Sequence, residues 1–156
     1  MKGMKHVVSA FLAALLMATV PSGPAVAADP LADLQWKNRI LLMFAKSRSD
    51  ASLDKQVDVL REVRPELRER DLIVLRTAGN EETRAAIGYT SLNNGAARQL
   101  RQRFKPESSR LTIILVGKDG QEKQRWNRVV EPEEIFKIID AMPMRQQEAG
   151  ESETDS

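Results

Sequence analysis

The sequence predicts an α/β domain on a four-stranded mixed sheet, with elements in the order β-α-β-α-β-β-α. Three observations predict it. Continuous apolar runs at 40–44, 72–75 and 111–116 have strand length, and such runs mark strands buried on both faces. Between the first two, Leu53, Val57, Leu60 and Val63 recur at helical spacing. A strand, a helix and a second buried strand make a parallel pair with a right-handed crossover. After the third run, Gly117-Lys118-Asp119-Gly120 carries Asp-Gly turn chemistry, so the fourth strand returns as the second arm of a hairpin.

The elements follow in order. Residues 1–27 are expected to be a cleaved signal peptide. Lys2 and Lys5 give a basic start, an apolar run at 7–20 is too short to span a bilayer comfortably, and Ala25-Val26-Ala27 supplies the small residues a signal peptidase needs. No cysteine lies near this site for a lipid anchor, so no membrane anchor is expected after cleavage. Asp29-Pro30 opens a short helical turn, with Leu31 and Leu34 on its apolar side. Asp50 or Ser52 caps the first helix, which Pro65 kinks or ends. The stretch 77–94 reads as irregular, with a short helix at 81–87, and Asn93 or Asn94 caps a helix over 95–104. The fourth strand, 121–130, is polar and alternating. Lys123, Arg125 and Arg128 line it as an exposed edge, and Trp126 lies on one face. Pro132 opens the last helix and Pro143 stops it. The domain thus occupies 28–145, and 146–156, acidic and without an apolar anchor, reads as a disordered tail.

Composition excludes several chemistries. The chain has no cysteine, and its one histidine, His6, leaves with the signal. The remaining 129 residues therefore have no thiol nucleophile, no Ser-His or Cys-His pair and no imidazole or thiolate metal site. No catalytic residue, metal or cofactor is assigned. Lys and Arg number 24 and Asp and Glu 22, but Lys2 and Lys5 lie in the signal, so the exported chain is formally neutral. A neutral exported chain lacks the positive field that nonspecific nucleic-acid binding needs.

The element order is that of the thioredoxin core. Four stretches sharpen the likeness: LADLQWKNRILLMFA, ERDLIVL, LTIILVGKDGQEK and IDAMPMRQQE. Together they resemble a thioredoxin-like domain-of-unknown-function family, over about 31–148. That family occurs alone in exported bacterial proteins and as a module in animal extracellular proteins with sushi repeats. Trp36-Lys37-Asn38-Arg39 and Met142-Pro143-Met144-Arg145 are the most specific parts. The resemblance implies the fold and a periplasmic or secreted location, and brings no catalytic residue set with it.

In thioredoxin-like folds the loop after the first strand carries the reactive Cys-x-x-Cys pair. Here it reads Lys46-Ser47-Arg48-Ser49-Asp50. One reading makes it a recognition loop for an anion, with Lys46, Arg48, the helix start near Ser52, and Arg110 at the same end of the sheet. The other makes it a solvated connection. Trp36 and Trp126 are expected in the core, and Met142 under the last helix, with Met144 less easily explained. Three functions remain open: a redox-inactive module binding a protein, peptide or small anion; an enzyme using carboxylate or lysine acid-base chemistry; or a self-associating structural domain.

Overall fold

The computed structural model describes residues 28–79, 83–88, 92 and 95–154. The expected signal peptide and the Asn93 or Asn94 cap lie outside these residues. The sheet has five strands rather than four, in the order β3-β2-β1-β4-β5. They are β1 (Arg39–Ala45), β2 (Leu72–Ala78), β3 (Thr83–Ile87), β4 (Thr112–Val116) and β5 (Glu122–Trp126). β1 and β2 are parallel, with Arg39 opposite Leu72 and Ala45 opposite Ala78. All other pairings are antiparallel. β2-β1-β4-β5 is the thioredoxin arrangement, and β3 adds an edge.

β3 lies where a short helix was expected. Thr83-Arg84-Ala85-Ala86-Ile87 has no β pattern of its own and contains two alanines, which favour helix. It is held instead by the ladder to β2. Cross-strand bonds of this kind are invisible to local propensity.

The central strand β1 is buried at all seven positions, and its alternating side chains feed two cores. Leu41 and Met43 pack with Leu53, Val57 and Leu60 of α1 (Ala51–Glu62), Leu67 of α2 (Arg64–Glu69), and Ile135 and Ile139 of α4 (Pro132–Asp140). Ile40, Leu42 and Phe44 pack with Leu31, Leu34, and Leu100 and Phe104 of α3 (Ala96–Phe104). The result is a sheet covered by helices on both faces. A 3-10 turn at Ala32–Leu34 follows Asp29, whose Oδ1 accepts from the Leu31 N–H at 3.0 Å. α1 and α2 are separate helices, broken at Val63 ahead of Pro65.

The expectation for the C-terminus is corrected. The helix opened by Pro132 ends at Asp140, ahead of Pro143 as expected, but Pro143 also opens another, α5 (Pro143–Thr154), over the stretch read as a disordered tail. Proline suits a first helical turn because its missing N–H is not needed there. The apolar anchor is absent, as the sequence indicates, but ion pairs take its place. Glu148 pairs with Arg39 and Lys118, and Arg145 with Glu69 and Asp140. Trp36 is corrected too. It is 63% exposed in the left-handed region (φ +65), and its N–H donates to the Lys118 carbonyl at 2.6 Å. Trp126 is buried, as expected, and donates to Glu134 at 2.7 Å. β5 is shorter than the strand read over 121–130, and Arg128 lies beyond it, paired with Glu134.

Candidate functional site

β1 points its two ends at two candidate sites, separated by the strand's seven residues, about 20 Å. At its C-terminal end lies the loop where thioredoxin chemistry resides. Lys46, Arg48, Ser52 and Arg110 are all exposed there. The pairing of Phe44 with Thr112 puts the start of β4, hence Arg110, at the same end as Lys46. Asp50, not Ser52, caps α1: its Oδ1 accepts from Ser52 N–H at 3.0 Å and Leu53 N–H at 3.3 Å. The N–H groups that were to cradle an anion are thus already engaged by a carboxylate of the chain itself.

Arg76, Arg84 and Arg101, unmarked by sequence reading, join Arg48 at this end. Arg48, Arg76 and Arg84 line one small cavity of about 10 Å³ with Leu53 and Ala78. Arg76 and Arg84 are direct cross-strand neighbours on β2 and β3. Like charges in that position repel. Arg48 and Arg84 each make a further interaction within the chain. Arg101 bridges the strand ends: Nε–H donates to the Gly79 carbonyl at 2.7 Å and Nη2 to the Ala45 carbonyl at 3.0 Å. Its guanidinium stands 5.5 Å from the centre of the Phe44 ring. Burial holds its pKa below the ordinary arginine value. The only sign of the Arg76–Arg84 pair in the sequence is two arginines eight residues apart, and it acquires meaning only once β3 folds back on β2.

At the N-terminal end of β1 is a cavity of about 460 Å³. Ile138, Met142, Pro143 and Met144 form its apolar wall; Arg39, Lys118 and Lys123 contribute cations. Arg39 is only 1% exposed, and its guanidinium grips both oxygens of Glu148, at 3.0 and 3.3 Å. Lys118 Nζ reaches Glu148 and Asp71, each at 2.7 Å. Burial pushes the Glu148 carboxyl up, but Lys118 and Arg39 together outweigh it and hold it below the ordinary value. For Lys118, burial acts downward and the two carboxylates prevail, raising it. The sequence signal for this site was a charged residue, Arg39, opening an otherwise apolar strand. Its partner was hidden in the segment read as a tail. The two blocks WKNR and MPMR meet here, since Arg39 and Met142 to Met144 share the cavity.

Among the described residues, no group of three or more His, Cys, Asp or Glu side chains is placed to hold a metal. No helix among them is long and apolar enough to cross a membrane.

The chain is similar to two curated sushi repeat-containing proteins. It is 28% identical to SRPX2 of Rattus norvegicus over 123 residues, 78% of this chain and 26% of that protein. It is 27% identical to SRPX of Homo sapiens over 127 residues, 81% of this chain and 27% of that protein. The chain thus spans about a quarter of the length of these relatives. Among solved structures, the reduced 2-Cys peroxiredoxin of Plasmodium vivax is similar with a TM-score of 0.57 at 16% identity, over 75% of this chain and 72% of that one. That likeness establishes the thioredoxin-like fold alone. A family model described as a domain of unknown function (DUF4174) matches residues 30–148, most of the chain, and the chain therefore belongs to that family.

Proposed function

We propose that this protein is an exported, thiol-free thioredoxin-like module that binds an anionic group of a protein or peptide at the C-terminal end of β1 and β2. The observation that carries the reading is the convergence of Arg48, Arg76 and Arg84 on one cavity, with two of them directly opposed across strands. Arginine suits carboxylate and phosphate geometry, so three guanidinium groups at one place favour an anionic group. The cavity has room for little more than one water, so the ligand's charged group rests on the surface rather than entering a pocket. Lys46 and Arg110 extend the basic surface. Ser52 is the weakest member, because Asp50 caps the helix in front of it. Export is supported by the leader over 1–27 and by the sushi repeat-containing relatives.

Backbone amide shifts on adding phosphate, sulfate or a short glutamate-rich peptide test the reading. Perturbation of residues 46–53, 76 and 84, reduced at least tenfold in affinity by Arg76→Gln, is the expected result. Silence at all of these positions, with shifts elsewhere, overturns it. The protein should also fail to reduce insulin disulfides, because it has no cysteine with which to form a mixed disulfide.

A further inference from the structure

We propose that the other end of the sheet holds a second site, for a free peptide C-terminus with an apolar last side chain, and that Glu148 occupies its carboxylate position in the structure. It is independent of the arginine surface at the C-terminal end of β1.

The carboxylate position is built by the fold. Arg39 opens a strand buried at all seven positions, and its two Nη groups hold the two oxygens of Glu148 in a fork. Nη1 is further fixed by the Arg70 carbonyl at 3.0 Å, while the buried Nε has no partner. A buried guanidinium in this arrangement selects a planar carboxylate by geometry as well as charge. Lys118 adds a point charge on one of these oxygens, Oε1, at 2.7 Å. Arg39 and Lys118 also line the 460 Å³ cavity, whose apolar wall includes Ile138, Met142, Pro143 and Met144. A carboxylate position beside an apolar cavity recognises a carboxylate attached to an apolar group. A chain terminus carries both on one carbon.

The charge count points the same way. Arg39, Lys118 and Lys123 face Asp71, Asp119 and Glu148, with Lys123 held by Asp119 at 2.6 Å. The set is neutral with Glu148 in place and carries one positive charge without it. A single carboxylate restores neutrality.

Glu148 is suited to be displaced. None of the described α5 side chains is buried, so α5 is docked by ion pairs rather than by an apolar face. Trp36 and Met144 are the exposed large hydrophobic residues of the described chain. Met144 lines the cavity, and Trp36 is tied by its backbone to Lys118. An aromatic ring and a flexible thioether are side chains that interfaces favour. An intramolecular Glu148 competes with any incoming carboxylate at millimolar or higher effective concentration. The unsubstituted protein therefore binds more weakly than one whose Glu148 is removed.

The test uses the tripeptide acetyl-alanyl-alanyl-leucine with a free carboxylate, and its C-terminal amide. Each is titrated into the mature protein, Glu148→Ala and Glu148→Gln, by calorimetry and by shifts of Arg39, Lys118 and the Met144 methyl. The acid should bind both variants at least tenfold more tightly than the unsubstituted protein, and at least tenfold more tightly than the amide does. Any shift at residues 46–53 belongs to the separate arginine surface and should be the same in the unsubstituted protein and in both variants. Equal binding of acid and amide, or no gain in either folded variant, overturns the proposal. If neither variant folds, the unsubstituted protein decides: acid-specific shifts at Arg39 and Met144 sustain the site, and their absence removes it.

Discussion

Replacing Gln56 by leucine should cost about 2–4 kcal/mol, although no catalytic or surface feature is touched. Gln56 is fully buried in α1, and its amide embraces the backbone of Val130, also fully buried. Nε2 donates to the Val130 carbonyl at 2.9 Å, and Oε1 accepts from the Val130 N–H at 2.7 Å. The side chain thus does for Val130 what a neighbouring strand would do. Leucine keeps roughly the volume but leaves both backbone groups buried without partners. Each unsatisfied group costs about 1–3 kcal/mol. Roughly 1–2 kcal/mol returns from burying an apolar side chain in place of an amide. For a domain of this size, about 4 °C of melting temperature accompanies each kcal/mol, so the midpoint should fall by roughly 8–16 °C. Urea unfolding with an unchanged slope separates lost stability from a changed denatured state. Gln56→Glu is the control: its carboxylate faces the Val130 carbonyl oxygen at neutral pH and regains a donor when protonated, so its deficit should shrink in acid. A loss below about 0.5 kcal/mol for Gln56→Leu would refute the reasoning.

Glu148 should make stability acid-sensitive. Its folded pKa lies below the ordinary value, so its contribution is fully present above about 4.5 and is lost as pH falls through the folded value. Urea midpoints measured downward from pH 5 should decline, and Glu148→Gln should flatten that decline; an unchanged slope counts against the Arg39–Glu148–Lys118 cluster. The two tryptophans should behave oppositely. Trp126→Ala removes a buried ring and should cost about 3–5 kcal/mol. Trp36→Gly exchanges an exposed left-handed tryptophan for the residue best suited to that backbone, and thermal melting should detect a change within about 1 kcal/mol. Intact mass of protein recovered from the cell envelope should correspond to a chain starting at Ala28, and a mass retaining residues 1–27 would count against the leader.

Much of the fold was legible because burial on both faces leaves a local trace. β1, β2 and β4 are continuous apolar runs, and α1 and α4 carry their apolar residues at helical spacing. The Gly117–Gly120 turn also reads directly, since Gly120 adopts φ +77 and its N–H closes on the Gly117 carbonyl at 2.9 Å. β3 and α5 left no such trace. Neither carries a periodic apolar face, and each is held by groups distant in sequence: β3 by the backbone of β2, and α5 by Arg39, Lys118, Glu69 and Asp140.

By itself the sequence determined the thiol chemistry this protein lacks, because the absence of cysteine is a fact of composition that no folding can alter. It also determined the central layers, because apolar side chains must leave water wherever they fall along the chain. Only the tertiary structure decided where charge is concentrated. Arg39, some 109 positions from Glu148, and Arg76, opposite Arg84, are ordinary charged residues in a list. Their energies depend on distance and burial, and both quantities come into existence when the strands pair and α5 closes over the sheet's end.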